Sequence, residues 1–120
     1  MATFTKLALS GSTDGRMIKV AQTATAGTTI HTGSTTATTF DEIWLYAVNS
    51  STSSVKLTIE WGGVSSPDDL IELSISAESG LVLVSAGLVI KGNATPLLVR
   101  AFAATANVIN IAGYVNRIAA

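Results

Sequence analysis

The chain has 120 residues, of which 48% are hydrophobic and only 12% charged, with a formal net charge of −1. An average soluble domain is about one quarter charged. The near-neutral balance lacks the clustered basic footprint of a nucleic-acid binder, and the absence of cysteine excludes disulfides, thiolate chemistry and cysteine-based zinc sites.

A chain of this length builds one two-layer core and buries about 60–70% of its unfolded surface. That is too little to hide a composition this apolar, so part of the apolar surface is expected to meet another chain. The basic residues Lys6, Arg16, Lys19, Lys56, Lys91, Arg100 and Arg117 are scattered, and no two are neighbours. The start, Met-Ala-Thr-Phe-Thr-Lys, lacks the basic region and apolar run of a signal peptide. No segment approaches the roughly 20 apolar residues of a membrane helix. The expectation is a protein synthesised in the cytoplasm, with neither a membrane nor a nucleic-acid partner.

Period-two alternation dominates and predicts strands throughout. Phe4–Leu9 is the first, followed by the turn residues Ser10 to Gly15 and a second strand over Met17–Gln22. Residues 23–39 are rich in Thr, Ala and Gly and read as a surface loop with an edge strand at Thr28–His31. Ile43–Val48 is apolar on both faces and predicts a central strand covered on both sides, either by a second layer or by a neighbouring subunit. A polar hairpin loop, Asn49 to Ser54, leads to Val55–Trp61, where Lys56, Thr58 and Glu60 alternate with apolar residues as on a half-buried antiparallel strand. Leu70–Ile75, Leu81–Val84, Leu88–Lys91, Leu97–Ala103 and Val108–Arg117 complete the set, separated by turn signals such as Ser66-Pro67-Asp68-Asp69 and Ser79-Gly80. Many short, evenly spaced strands predict a single all-β domain over residues 1–120, a jelly-roll-like or related Greek-key β-sandwich. No Cys–Trp–Cys spacing marks an immunoglobulin-type sandwich.

The catalytic inventory is thin, and a non-enzymatic protein is expected. His31 is the only histidine. With no Gly-x-Ser-x-Gly elbow to supply a nucleophile, it reads as a solvent-facing or loop residue. Asp41-Glu42 and Asp68-Asp69 fall at predicted turns or strand starts, where carboxylates serve local hydrogen bonds. No spaced Asp-x-Asp-x-Asp calcium loop and no Gly-rich phosphate loop is present, so neither cofactor nor metal is expected. Trp44, Tyr46 and Trp61 raise the idea of a sugar-stacking face, but core or interface packing accounts for them more simply.

Five segments carry a family resemblance: Leu9 to Val20, Gly27 to Thr32, Asp41 to Asn49, Leu57 to Gly63, and Val99 to Ile118. Together they resemble a group of small structural proteins encoded by tailed bacteriophages. The resemblance implies a virion component on the capsid surface. It implies most of all a decoration (cement) protein of jelly-roll type that sits as a homotrimer and bridges subunits of the major capsid protein. Neck, tail or head-fibre placement, or a carbohydrate-binding module for host attachment, are the competing expectations. The candidate contact residues are Thr3, Phe4 and Leu7 in the first strand, plus the isolated charges Arg100 and Arg117. For Thr3 to Leu9 two readings stand: an arm that adds a strand to a partner's sheet edge, or the first strand of its own sandwich.

Overall fold

The computed structural model describes residues 2–119, which form nine strands and no helix. The strands are β1 (Thr3–Ala8), β2 (Ile18–Lys19), β3 (Thr28–Thr32), β4 (Thr39–Asn49), β5 (Val55–Trp61), β6 (Leu70–Ile75), β7 (Val82–Lys91), β8 (Leu98–Ala103) and β9 (Ile109–Ala119). They make two antiparallel sheets. One runs β1-β9-β4-β7, with β2 continuing beside β9, and the other runs β3-β8-β5-β6.

The pairings are nested. β5 pairs β6, β4 pairs β7, β3 pairs β8, and β2 pairs β9. The chain is thus one long hairpin folded about the β5–β6 turn, with successive pairs laid alternately in the two sheets. That is the connectivity of a Greek-key sandwich of the jelly-roll type.

The core lies between the sheets. Ile43, Leu45 and Ala47 of β4 and Ile109, Ile111 and Val115 of β9 face Leu57 and Ile59 of β5 and Val99, Ala101 and Ala103 of β8, and all eleven are fully buried. This follows from the pleat, since alternate side chains share a face. The same alternation sends Phe40, Glu42, Trp44, Tyr46 and Val48 to the other side of β4, where they are half-buried or exposed. Of the two covers expected for Ile43–Val48, the second sheet supplies the inner one, and the outer face is left uncovered within one chain.

The predicted segments Leu81–Val84 and Leu88–Lys91 prove to be one strand. β7 runs through both, and its register against β4 shifts twice, between Ile43 and Trp44 and between Leu45 and Tyr46. Gly87, at φ 78°, sits within this irregular stretch. A side chain there would be strained by the backbone and would press on the Trp44 ring, with its Cβ 3.2 Å from Cζ2. Of the predicted Met17–Gln22, Ile18 and Lys19 form β2 against β9, and Val20 extends the contact by donating its N–H to the Ile109 carbonyl at 2.9 Å. The first strand lies within the sandwich: β1 pairs with β9 along its whole length, from Thr3–Ala119 to Ala8–Tyr114. It is the first strand of its own sandwich and forms an edge of the five-stranded sheet.

Candidate functional site

The outer face of the five-stranded sheet is the most distinctive surface of the protein. Its side chains stand in cross-strand rows fixed by the register. The first row is Phe4, Ile118, Phe40, Lys91. The second is Lys6, Asn116, Glu42, Val89. The third is Ala8, Tyr114, Trp44, Ala86, and a fourth continues with Ala112, Tyr46 and Leu83. Phe4 is 72% exposed, Leu83 50%, Val89 48% and Phe40 40%. Five aromatic side chains therefore stand on three adjacent strands, an apolar patch of a kind that monomeric proteins seldom leave in water.

The third row is well ordered. Trp44 and Tyr114 stack with centroids 6.0 Å apart and planes 9° from parallel. Lys6 Nζ lies 4.6 Å from the Tyr114 ring centroid. Because β1 and β4 flank β9, Lys6 and Trp44 cover opposite faces of Tyr114, while the Trp44 ring also abuts Gly87. A platform for a sugar needs an open ring face, and this row uses those faces internally.

Glu42 is tied into the same face. Its Oε1 accepts hydrogen bonds from Trp44 Nε1 at 2.9 Å and Asn116 Nδ2 at 3.1 Å. These two bonds, that from Trp44 foremost, hold the Glu42 carboxyl below its ordinary pKa. Oε2 carries no such bond among the described residues.

On the inner side, at the same end of the sheet, lies a buried ionic cluster. Arg117 donates from Nε to Asp41 Oδ1 at 2.7 Å and from its Nη2 to Oδ2 at 2.8 Å. His31, on the opposing sheet, lies with Nε2 2.8 Å from Oδ2. The backbone N–H of Ser10 donates to His31 Nδ1 at 3.1 Å. Nδ1 is therefore the acceptor and Nε2 carries the proton that it donates to Asp41. Burial alone would raise the pKa of Asp41, but the hydrogen bonds from Arg117 and His31 outweigh it and the net shift is downward. Arg117 is pushed up in turn, first by its hydrogen bond to Asp41.

This overturns two sequence expectations. His31, expected to face solvent or a loop, is 2% exposed; Asp41 lies near the start of β4 as expected, but it is 0% exposed and bonds to His31 and Arg117 instead of locally, and together they clamp the two sheets. Both histidine nitrogens are engaged, and the nearby Ser10 Oγ accepts the Thr32 N–H at 2.6 Å. Among the described residues no nucleophile is poised against the ring. Among the described residues no group of three His, Asp or Glu side chains is placed to hold a metal ion.

Glu60 was expected on a solvated strand face and is fully buried. The Thr-, Ala- and Gly-rich segment before β3 folds over the outside of the second sheet. There the Gly27 N–H donates to Glu60 Oε1 at 2.7 Å and the Thr25 hydroxyl to Oε2. The segment is thus a cover held by a carboxylate, and not a free loop.

The candidate contact residues do not form one site. Thr3 and Phe4 are exposed on β1, and Leu7 packs partly against the core. Arg100 is half-buried on the other sheet, paired in register with Thr29 and Glu60. Arg117 spends its guanidinium on Asp41 of its own chain. The residues that sequence reasoning missed, Lys6, Glu42, Tyr114 and Ile118, become neighbours only once the β1-β9-β4 order is known.

Comparison with protein-family models, with curated proteins and with solved structures finds no match to this chain.

Proposed function

We propose that this chain is a non-enzymatic structural protein that decorates and cements the capsid of a tailed bacteriophage. The observation that carries this reading is the set of large apolar side chains left outside a complete core. Phe4, Phe40, Leu83 and Val89 are on the sheet face, and Met17, Val64, Leu81 and Leu97 are outside the strands, with Leu81 62% exposed. Surface of this kind suits a protein that spends its life against neighbours. The resemblance of Leu9–Val20, Asp41–Asn49 and Val99–Ile118 to phage structural proteins points the same way. The partners are the major capsid protein and further copies of the chain.

The mechanism is mass action. A protein that binds the assembled lattice and not its free subunits stabilises the lattice by the binding free energy. Many copies multiply a modest affinity through avidity.

The test is the number of copies per major capsid protein in purified particles, by quantitative mass spectrometry. A simple ratio, the same on every particle, is the expected result. A handful of copies per particle moves the protein to the neck, tail or fibres, and its absence from particles overturns the reading.

A further inference from the structure

The outer sheet face is complementary to itself. We infer that two copies of this chain associate face to face through β1, β9 and β4, about a two-fold axis lying in the interface along β9. This goes beyond the decoration reading and stands without it.

The cross-strand rows fix what such an axis brings together. Such an axis lays β1 of one copy over β4 of the other and β9 over β9. At the first row it sets Phe4 over the partner's Phe40, and Ile118 over the partner's Ile118. At the second row it sets Lys6 over the partner's Glu42, twice by symmetry. At the third row it sets Ala8, a minimal side chain, over the partner's Trp44, the largest of the patch. Apolar meets apolar, cation meets anion, and large meets small, all with one operator.

The charges also select the frame. Within one chain Lys6 and Glu42 are separated by β9, and neither forms an ion pair among the described residues. Glu42 Oε2 is free for a new donor while Oε1 keeps its bonds to Trp44 and Asn116. A two-fold axis running across the strands through the same row would instead stack Lys6 on Lys6 and Glu42 on Glu42, and like charges in contact oppose association. Tilting the chosen axis about 15° from β9 gives the crossing of about 30° at which stacked sheets pack, with the central row kept in register.

The size sets the strength. Three overlapping strands about 4.8 Å apart and about eight residues long at 3.3 Å each give about 400 Å² of flat sheet per copy. Two copies cover about 800 Å² before the relief of the aromatic rings is counted, below the about 1,200 Å² of a standard stable interface and in the range of weak, transient pairs. The expected dimer is reversible and concentration-dependent, and not an obligate one. The three-fold unit implied by the family resemblance uses no such axis.

Sedimentation velocity of the full chain over a wide concentration range tests this. The wild type is expected to shift reversibly from one to two chains. Lys6→Glu and Glu42→Lys should each weaken the dimer at least about tenfold by placing like charges in contact. The double exchange Lys6→Glu/Glu42→Lys should restore most of that loss, because it rebuilds the pair with the signs swapped. Glu42→Gln keeps an acceptor for Trp44 and Asn116, so it weakens association without touching the fold and guards against a folding artefact. A wild type that is monomeric throughout, a mass of three chains, or a double exchange as weak as the single variants would each overturn the proposal.

Discussion

Asp41 and Arg117 stand directly opposite each other on β4 and β9 and are joined by two parallel hydrogen bonds, at 2.7 and 2.8 Å. The planar guanidinium matches the carboxylate edge, so one contact satisfies both oxygens. The pair is electrically neutral, and His31 can approach it from the other sheet as an uncharged donor. The clamp therefore joins the two layers without leaving a net charge in the core.

Removing Arg117 leaves a fully buried carboxylate with only a neutral partner. Breaking such a pair from one side costs about 3–5 kcal/mol; Arg117 is 32% exposed, so water screens part of the loss and about 2–3 kcal/mol is expected for Arg117→Met. Arg117→Lys keeps the charge but loses the fork and should fall between. Urea unfolding measures both. The same variants should leave self-association unchanged once the protein is folded. Arg117 would count as an interface residue only if its loss abolished assembly at full stability.

Acid should weaken the domain through the same pair. The Asp41 carboxyl titrates below its ordinary value in the folded state, so on acidification the unfolded chain takes up that proton first. Its contribution is complete above the unfolded carboxylate range, near pH 4, and is lost as pH falls through and below it. Arg117 is raised beyond any accessible pH and adds no slope there. Urea midpoints measured from pH 7 to pH 2 should decline below about pH 4, and Asp41→Asn should flatten that part of the decline. Glu42 shifts in the same direction, but it lies at the surface, so Glu42→Gln should alter the profile much less.

Glu60 makes a different kind of tether. Its carboxylate holds the Gly27 N–H and the Thr25 hydroxyl, and hydrogen bonds to a charged group contribute about 1.5–3 kcal/mol each in net terms. Glu60→Ala should free the cover segment while the two sheets persist. Amide exchange at Gly27 should then rise by at least about tenfold, with little change at Leu57 or Ile59 in the core. Uniform exchange across the sheet would show instead that Glu60 supports the whole fold.

Much of this architecture was legible in the sequence. Val55–Trp61 and Leu70–Ile75 begin and end where alternation and turn residues place them, because a half-buried strand writes its pleat into the residue order. The pattern predicts two strands where β7 is one, because its irregular register around Gly87 breaks the period. The ionic clamp left no local trace: Asp41 lies 10 residues from His31 and 76 from Arg117, and only the nested strand order brings them together. Glu60 misled for a related reason. It does face outward, as its alternation says, but a weakly patterned segment folds back to cover it. The sheet face was half visible: Trp44 and Tyr46 announced an apolar outer side of β4, while its completion by Phe4, Tyr114 and Ile118 depends on pairings across most of the chain.

The two tryptophans separate the surface from the core. Trp61 ends the inward row of β5 and packs against the buried cluster; its truncation should leave a cavity costing about 2–3 kcal/mol, less than for a fully buried ring. Trp44 stands on the outer face, where its loss removes the stack on Tyr114, a contact of about 1 kcal/mol. Thermal unfolding should therefore show a much larger drop for Trp61→Ala than for Trp44→Ala. Sedimentation should show the reverse order, since Trp44 lies opposite Ala8 of the second copy in the face-to-face pair and Trp61 does not reach that face. If glycan binding were found and Trp44→Ala removed it in a folded monomer, the aromatic row would be a ligand platform. If Trp44→Ala instead reduced self-association and glycan arrays stayed blank, the row would be what its register makes it, one half of an interface built from a single chain.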